Sequence, residues 1–539
     1  MIWTNDAKEK KALPNSTPKL RTFLTQHHPW IVNVKRPLIY LLLAVLPAIL
    51  TLSLIHILLH SSLSRFVPAS WNDIVDYWRT AYSFSEVGWN SGFYAPNEKV
   101  AAAPFSRFGV HGPYFAVIYG SLGHIFGWTF YTGLIINFVF IAIGIYLFLW
   151  LIHPDRKQLL FFSALLLTSW SLLMYLPTIS QEAMHQTSAC VLAALFYHLL
   201  SNREKKLPLY IIILSMIGLF LISLIRVSWA ILFLPFFALI FPDHWRWKVI
   251  SIGLCGSITL LIIKINQWLT PPTLNSIFKV MQGFSSSLTE GISRLQDFIF
   301  DNYYWIAEDA WAISSIILYI TLFLILIIIS EFVIYRVNKK TLVGLNLSPE
   351  EKLFHLINLI PLCLSVFIMY PIGGAGRVVG AHLFLSVLLL ISFKRYRILT
   401  LYLFLCLLST PLFVNNYIRD YLENFTYYKP QEYLQWRDKV SEQITYQPQA
   451  ETPWCNTVLI PLSFYDQRVL VIPAGFGLAY FMPQMDFEMP PKSHYLYFNN
   501  QALEKLNKLG ELKLELIIKL PIGKIYRNLD SKCISASPP

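Results

Sequence analysis

Charge is what this 539-residue sequence has least of. Asp, Glu, Lys and Arg together make up 14% of it, against roughly 25% in an ordinary soluble domain. A soluble chain of this length would need two or three domains with polar shells, and the charges are too few and too clustered to clothe them. Glycine is sparse as well, at 23 residues, and no phosphate-cradling glycine loop is among them. Gly475-Phe476-Gly477 is too short to be one. The six cysteines show no metal-ligand spacing with histidine. No internal repeat of the transporter kind is visible. What the sequence does have is apolar mass: 55% hydrophobic, 15% aromatic, with a mean hydropathy of +0.50. That excludes disorder and indicates an integral membrane protein.

A bilayer core about 30 Å thick takes roughly 20 apolar residues per helix. Apolar segments occur near 37–60, 130–151, 158–176, 183–200, 207–225, 227–241, 248–268, 311–335, 354–370, 378–393 and 398–414, eleven in all. A shorter run, Pro113–Phe126, opens at His111-Gly112 and carries Gly120 and Gly123. Its length reads as an interfacial or re-entrant helix. Charge decides between eleven spans and twelve, because Lys and Arg gather in cytoplasmic loops. With eleven spans and the N-terminus inside, the inner segments hold 21 Lys and Arg and the outer ones 8. A twelfth span at 113–126 would turn every basic loop after the N-terminal segment outward.

The expected architecture is an α-helical polytopic membrane protein with three parts: a cytoplasmic segment 1–36, a transmembrane body 37–414 with a first outer loop 61–129, and an outer α/β domain 415–539. The first span is too long for a cleavable signal and reads as a retained anchor. The domain carries 13 basic and 13 acidic residues, so the net charge of +12 reflects topology and gives no support to nucleic-acid binding. In it, 416–446 reads as helix, 457–462, 468–473 and 495–498 as strands, 500–508 as helix, and 511–520 and 523–527 as further strands. The expected setting is a bacterial inner membrane with this domain on the periplasmic or extracellular side. Cys190, Cys255, Cys363 and Cys406 lie in spans, where a thiol acts as a small hydrophobe. Cys455 and Cys533 lie outside, where an oxidising compartment permits a disulfide. The alternative is two unrelated thiols.

After the first span comes Ser70-Trp71-Asn72-Asp73-Ile74-Val75-Asp76-Tyr77-Trp78. Asp73 and Asp76 are three apart and share one helix face, at an outer surface rich in aromatics. A carboxylate there could deprotonate an acceptor hydroxyl. The plain alternative is a helix start, since Ser70-x-x-Asp73 fits a capping box.

Asp73, Tyr77-Trp78, then Pro113-Tyr114, an apolar run and Phe126-Gly127 resemble the GT-C superfamily of integral-membrane glycosyltransferases. Protein mannosyltransferases using dolichyl-phosphate-mannose and aminoarabinose transferases are of this kind. The likeness covers roughly residues 38–240 by motif order. Ile74 stands where the family often has a second acid; either Asp76 takes its place or the catalytic role is altered or lost. The resemblance implies a GT-C-like fold, a polyprenyl-phosphate sugar donor, a hydroxyl acceptor (lipid, protein or glycan) and inversion at the anomeric carbon. Asp73 and Asp76 would be catalytic. A divalent metal, Mg or Mn, serves some relatives, but two acids three apart do not establish a site.

The leaving phosphate needs cations beside it, and arginine suits phosphate oxygens. Arg226 sits in a short outer turn between apolar segments, against the positive-inside trend. Arg377 follows Gly373-Gly374-Ala375-Gly376 at the outer surface. Arg107 and His111 flank the 113–126 run and are further candidates for the phosphate. Glu182 opens its span from outside, placed to support acceptor or metal. Arg294, Asp297 and Asp301 recur as a solvated helix face. Lys264, Glu331, His355 and Asn358 read as packing residues, the last two near the inner surface and far from the site. The rival functions are a transporter or flippase, a polymerase of lipid-linked glycans, and a catalytically silent scaffold of GT-C type.

Overall fold

A computed structural model describes residues 29–68, 72–90, 94–96, 108, 112–201, 208–242, 244–269, 276–308, 310–338, 347–369, 375–426, 429–447, 452–460, 467–480, 491–498, 512–531 and 533. They are mostly helical, as expected where the backbone must satisfy its own polar groups in lipid. In chain order come α1 (Pro29–Leu58), α2 (Asn72–Val87), α3 (Pro113–Phe126), α4 (Thr132–Ile152), α5 (Arg156–Thr168), α6 (Trp170–Tyr175), α7 (Glu182–Ser201), α8 (Leu209–Ile225) and α9 (Phe233–Ile240). Then follow α10 (Trp245–Leu269), α11 (Ser276–Ser286), α12 (Leu288–Glu308), α13 (Ile313–Asn338), α14 (Pro349–Met369), α15 (Ala375–Ser392), α16 (Tyr396–Leu408), α17 (Thr410–Tyr421), α18 (Glu423–Thr426) and α19 (Pro430–Gln443).

Four stretches among the described residues are long and apolar enough to cross a membrane, where eleven were expected: Arg36–Leu58, Thr132–Ile152, Trp245–Asn266 and Ile313–Glu331. A fifth is α16 with α17 if that pair, bent by 52° at Ser409, counts as one span. Of the other expected spans, 207–225, 227–241 and 378–393 fall on apolar helices of only 10–17 residues, and the rest are broken or polar. The run 158–176 splits into α5 and α6 at Ser169, whose ψ of 81° leaves the helical region. The adjoining Trp170 donates its indole N–H to the Cys406 carbonyl at 2.7 Å and to Ser409 Oγ at 3.0 Å, joining the two helix breaks. The 227–241 run starts as a 3-10 turn, Val227–Leu232, before α9. α7 is long enough but carries Glu182, His185, Gln186 and Ser188, all buried. It is wrapped by α4 and α15, so its polar side chains face protein.

α3 spans Pro113–Phe126 and is bracketed by Gly112 and Gly127 at φ +85° and +86°, a conformation that costs glycine little. Its two internal glycines make it a close partner of α2. A Cβ at Gly120 would come within 2.8 Å of the Ala81 carbonyl and Phe84 Cβ.

The C-terminal domain holds a six-stranded sheet in the order β1-β3-β2-β4-β6-β5, from β1 (Tyr94–Pro96), β2 (Thr457–Ile460), β3 (Gly477–Tyr480), β4 (Tyr495–Phe498), β5 (Leu514–Leu520) and β6 (Gly523–Asn528). β1 to β4 pair in parallel, and β4, β6 and β5 antiparallel. β2 and β4 are buried throughout, as parallel strands covered on both faces are. Two expectations are corrected. The expected strand at 468–473 is a 3-10 turn, Gln467–Val471. The expected helix 416–446 is interrupted between α17, α18 and α19, the last with Pro430 in its first turn. The expected helix 500–508 lies outside the described residues. β1 comes from the first outer loop, so that loop and the C-terminal chain build one sheet. Cys455 and Cys533 are disulfide-bonded.

Candidate functional site

The residues that converge are Glu182, Arg226 and Arg377. Glu182 is the first residue of α7 and is 1% exposed. Arg226 is extended backbone at φ −147°, ψ 121°, where α8 ends and the Val227–Leu232 turn begins. Arg377 lies in the first turn of α15. Arg377 Nε donates to Glu182 Oε1 at 2.8 Å and its Nη2 to Oε2 at 3.4 Å. Arg226 Nη2 donates to Oε1 at 3.0 Å and its Nη1 to the Arg377 carbonyl at 3.1 Å. Three helix ends are thereby tied at one carboxylate. The arginine side chains keep 16% and 15% exposure. One carboxylate thus holds two guanidiniums, each with part of its side chain open to the surface.

α15 fits here because Gly376 lacks a side chain. A Cβ at that position would lie 2.5 Å from Ser314 Cα of α13 and 3.3 Å from the Tyr175 hydroxyl. Arg377 is therefore delivered by a close helix crossing at Gly376, while Gly373 and Gly374 lie outside the described residues.

Below the arginines runs a chain of polar groups that sequence reading missed. Trp229 Nε1 donates to His185 Nδ1 at 3.1 Å. The Trp229 ring stacks on His382 at 3.8 Å between centroids. Asn358 Nδ2 donates to the His382 carbonyl at 2.9 Å and to Ser386 Oγ at 3.0 Å. Its Oδ1 thus faces His382 Nδ1, at 2.7 Å, as acceptor. His382 Nε2 and the Ser228 hydroxyl are hydrogen-bonded at 3.1 Å. The Trp229 donor leaves His185 Nδ1 without a proton, and the Asn358 acceptor fixes one on His382 Nδ1. Asn358 is accordingly part of the brace under Arg226 and Arg377, not remote from them. Its signal was hidden because the partners stand 24 and more residues away.

Tyr77 on α2 is linked to the segment before Glu182 through α3 and α4. The backbone of Asp73 lies in the first turn of α2; its side chain is outside the described residues. Asp76 is buried. Next to it, Tyr77 packs on Phe115 at 4.7 Å, and Phe115 on Tyr119 at 4.0 Å. Tyr119 donates its hydroxyl to Asn137 Oδ1 at 2.5 Å. Asn137 Nδ2 donates to the carbonyls of Leu176 and Thr178, at 3.1 and 2.6 Å. Thr178 and Ser180 are hydrogen-bonded through their hydroxyls, two residues before Glu182. Arg107 and His111 lie outside the described residues. So α2, α3, α4 and the start of α7 form one continuous wall.

Arg79, also missed from sequence, is fully buried on α2. Its Nη2 donates to the carbonyls of Pro473 and Phe476 at 2.6 and 3.0 Å, and Nη1 to Ser83 Oγ at 2.7 Å. It fastens the first loop to the C-terminal domain. Near the other end of the helices, Glu351 takes a paired contact from Arg395 at 2.9 and 2.6 Å, and Lys352 lies 3.5 Å from Glu331. Among the described residues no group of three His, Cys, Asp or Glu side chains is placed to hold a metal ion, and Glu182 is engaged by arginines. No protein-family model matches this chain, and neither does any curated protein or solved structure.

Proposed function

We propose that the chain is a glycosyltransferase of GT-C-like architecture, moving a sugar from a polyprenyl-phosphate donor to a hydroxyl acceptor at the outer face of the membrane. The observation that carries this reading is the pair Arg226 and Arg377, held together on Glu182 with both guanidinium side chains partly exposed. Such a pair suits the phosphate of a lipid whose chains lie among the helices, since guanidiniums form paired bonds to phosphate oxygens. Glu182 orients both cations in place of the acceptor or metal role expected for it.

In the reaction, Asp73 takes the proton of the acceptor hydroxyl as its oxygen attacks the anomeric carbon opposite the phosphate. The bond from that carbon to the phosphate oxygen breaks, the centre inverts, and polyprenyl phosphate leaves. Charge growing on the leaving oxygen is met by Arg226 and Arg377. Asp76, being buried, supports the helix rather than the acceptor. The bacterial inner membrane, with a periplasmic outer domain, is the setting this implies. The test is sugar transfer from a radiolabelled polyprenyl-phosphate sugar by the purified protein in vesicles. Asp73→Asn is expected to lower turnover by about 100-fold or more; unchanged transfer removes Asp73 from the mechanism.

A further inference from the structure

The segment between α10 and α13 plays no part in the cluster, yet it is the most sharply two-faced part of the chain. α11 and α12 fold as a tight hairpin. Ser287 breaks the helix between them: its N–H donates to the Gly283 carbonyl at 2.9 Å, and its hydroxyl accepts from the Glu290 N–H at 3.1 Å. Gly283 and Gly291 let the two helices touch; a Cβ on Gly283 would lie 3.1 Å from Gly291 Cα, and one on Gly291 would overlap the Phe284 ring. The hairpin rests on α14.

On α12 the charged residues Glu290, Arg294, Asp297 and Asp301 recur at helical spacing, with Arg294 paired to Glu290. At 3.6 residues per turn, Leu288, Ile292, Ile299 and Tyr303 line the opposite side. Those four are between 40% and 70% exposed, so the protein leaves its apolar stripe uncovered. The helix is tethered at membrane level. Glu308 is five residues from Ile313, where an apolar span begins, a reach of roughly 17 Å at most. Exposed Trp268 and Trp311 stand at the two junctions with the spans, where amphipathic rings favour the headgroup region.

We infer that the α11–α12 hairpin lies flat in the outer-leaflet interface, with Leu288, Ile292, Ile299 and Tyr303 set into the acyl boundary and the acidic face in water. The occupant of the stripe is lipid. Its continuity with two spans argues for this, and the net acidic polar face argues against anionic headgroups as the attraction. Burial of apolar area drives the contact. The inference rests on the membrane reading and is independent of sugar transfer.

The experiment uses the full-length protein in phosphatidylcholine vesicles. An environment-sensitive fluorophore is attached at Ile299→Cys and, separately, at Asp297→Cys, with the unsubstituted protein as control for its buried thiols. Ile292→Cys replaces the first variant should that one not fold. The probe at 299 or 292 is expected to emit blue-shifted and to lose most of its emission when the lipids carry brominated acyl chains, while the probe at 297 emits as in water. A water-like probe on both faces overturns the inference. So does a blue-shifted probe that brominated lipid leaves unquenched, since protein would then cover the stripe.

Discussion

At the scale of single residues, the account turns on Glu182. A carboxylate shut in with two guanidiniums is costly to break from one side, because the remaining charges lose their partner in a poorly solvated place. Glu182→Gln is therefore expected to lower stability by about 3 kcal/mol, read as a lower thermal midpoint in detergent. A midpoint equal to wild type would mean that the ion pairs do not hold the three helix ends together. The arginines were legible in sequence because a cation in an outer turn between apolar runs stands against the distribution of the others. Their meeting point was not, since Glu182, Arg226 and Arg377 are 44 and 151 residues apart along the chain. Arg79 gave no signal either, as an isolated arginine among aromatics.

At the scale of elements, apolar runs disclosed where helices lie and concealed where they break. Ser169 carries no strong helix-breaking signature, whereas the break at Ser409 is marked by Pro411 in the first turn of α17; the Trp170 bonds joining the two breaks are tertiary. β1 is three residues ending in proline, too short to show a strand period. Arg468–Pro473 has strand-like composition, yet tertiary context folds most of it as a 3-10 turn.

The outer domain offers two checks at this scale. The Cys455–Cys533 bridge closes a loop of 78 residues, so Cys455→Ser or reduction should cost the domain about 4 kcal/mol in the chain-entropy picture. Circular dichroism of the β signal with and without reductant measures it, and no change would show the sheet to be independent of the bridge. His494 sits against Tyr495, with its Nδ1 2.7 Å from Ser531 Oγ. Burial, aided by nearby Arg527, pulls its pKa down to about 4. A folded value below the ordinary 6.5 means that the unfolded chain binds the proton first. The contribution is therefore complete above about pH 6.5 and is lost as pH falls toward 4. His494→Gln is expected to flatten the loss of domain stability across that window, and an unaltered pH profile would assign the loss to other groups.

At the scale of the whole molecule, the presence of several membrane-length apolar helices was legible from hydropathy, whereas the number of spans and the join between body and C-terminal domain were not. That join uses one buried arginine and an edge strand lent by the first loop. Hydrogen bonds to a charged group are worth about 1.5–3 kcal/mol, and lysine lacks the fork that reaches the two carbonyls through Nη2 and Ser83 Oγ through Nη1. Arg79→Lys should thus speed proteolytic release of the outer domain by about tenfold or more; an equal cleavage rate would place the join elsewhere.

The central claim is that the cation pair serves a lipid phosphate during sugar transfer. Single-turnover transfer from a radiolabelled polyprenyl-phosphate sugar tests it most directly, comparing wild type with Arg226→Gln, Arg377→Gln in protein that elutes as wild type. The account expects transfer by the wild type and a rate about 100-fold lower or less in the double variant. Equal rates in the two, or no transfer by the wild type from any polyprenyl-phosphate sugar, would contradict it.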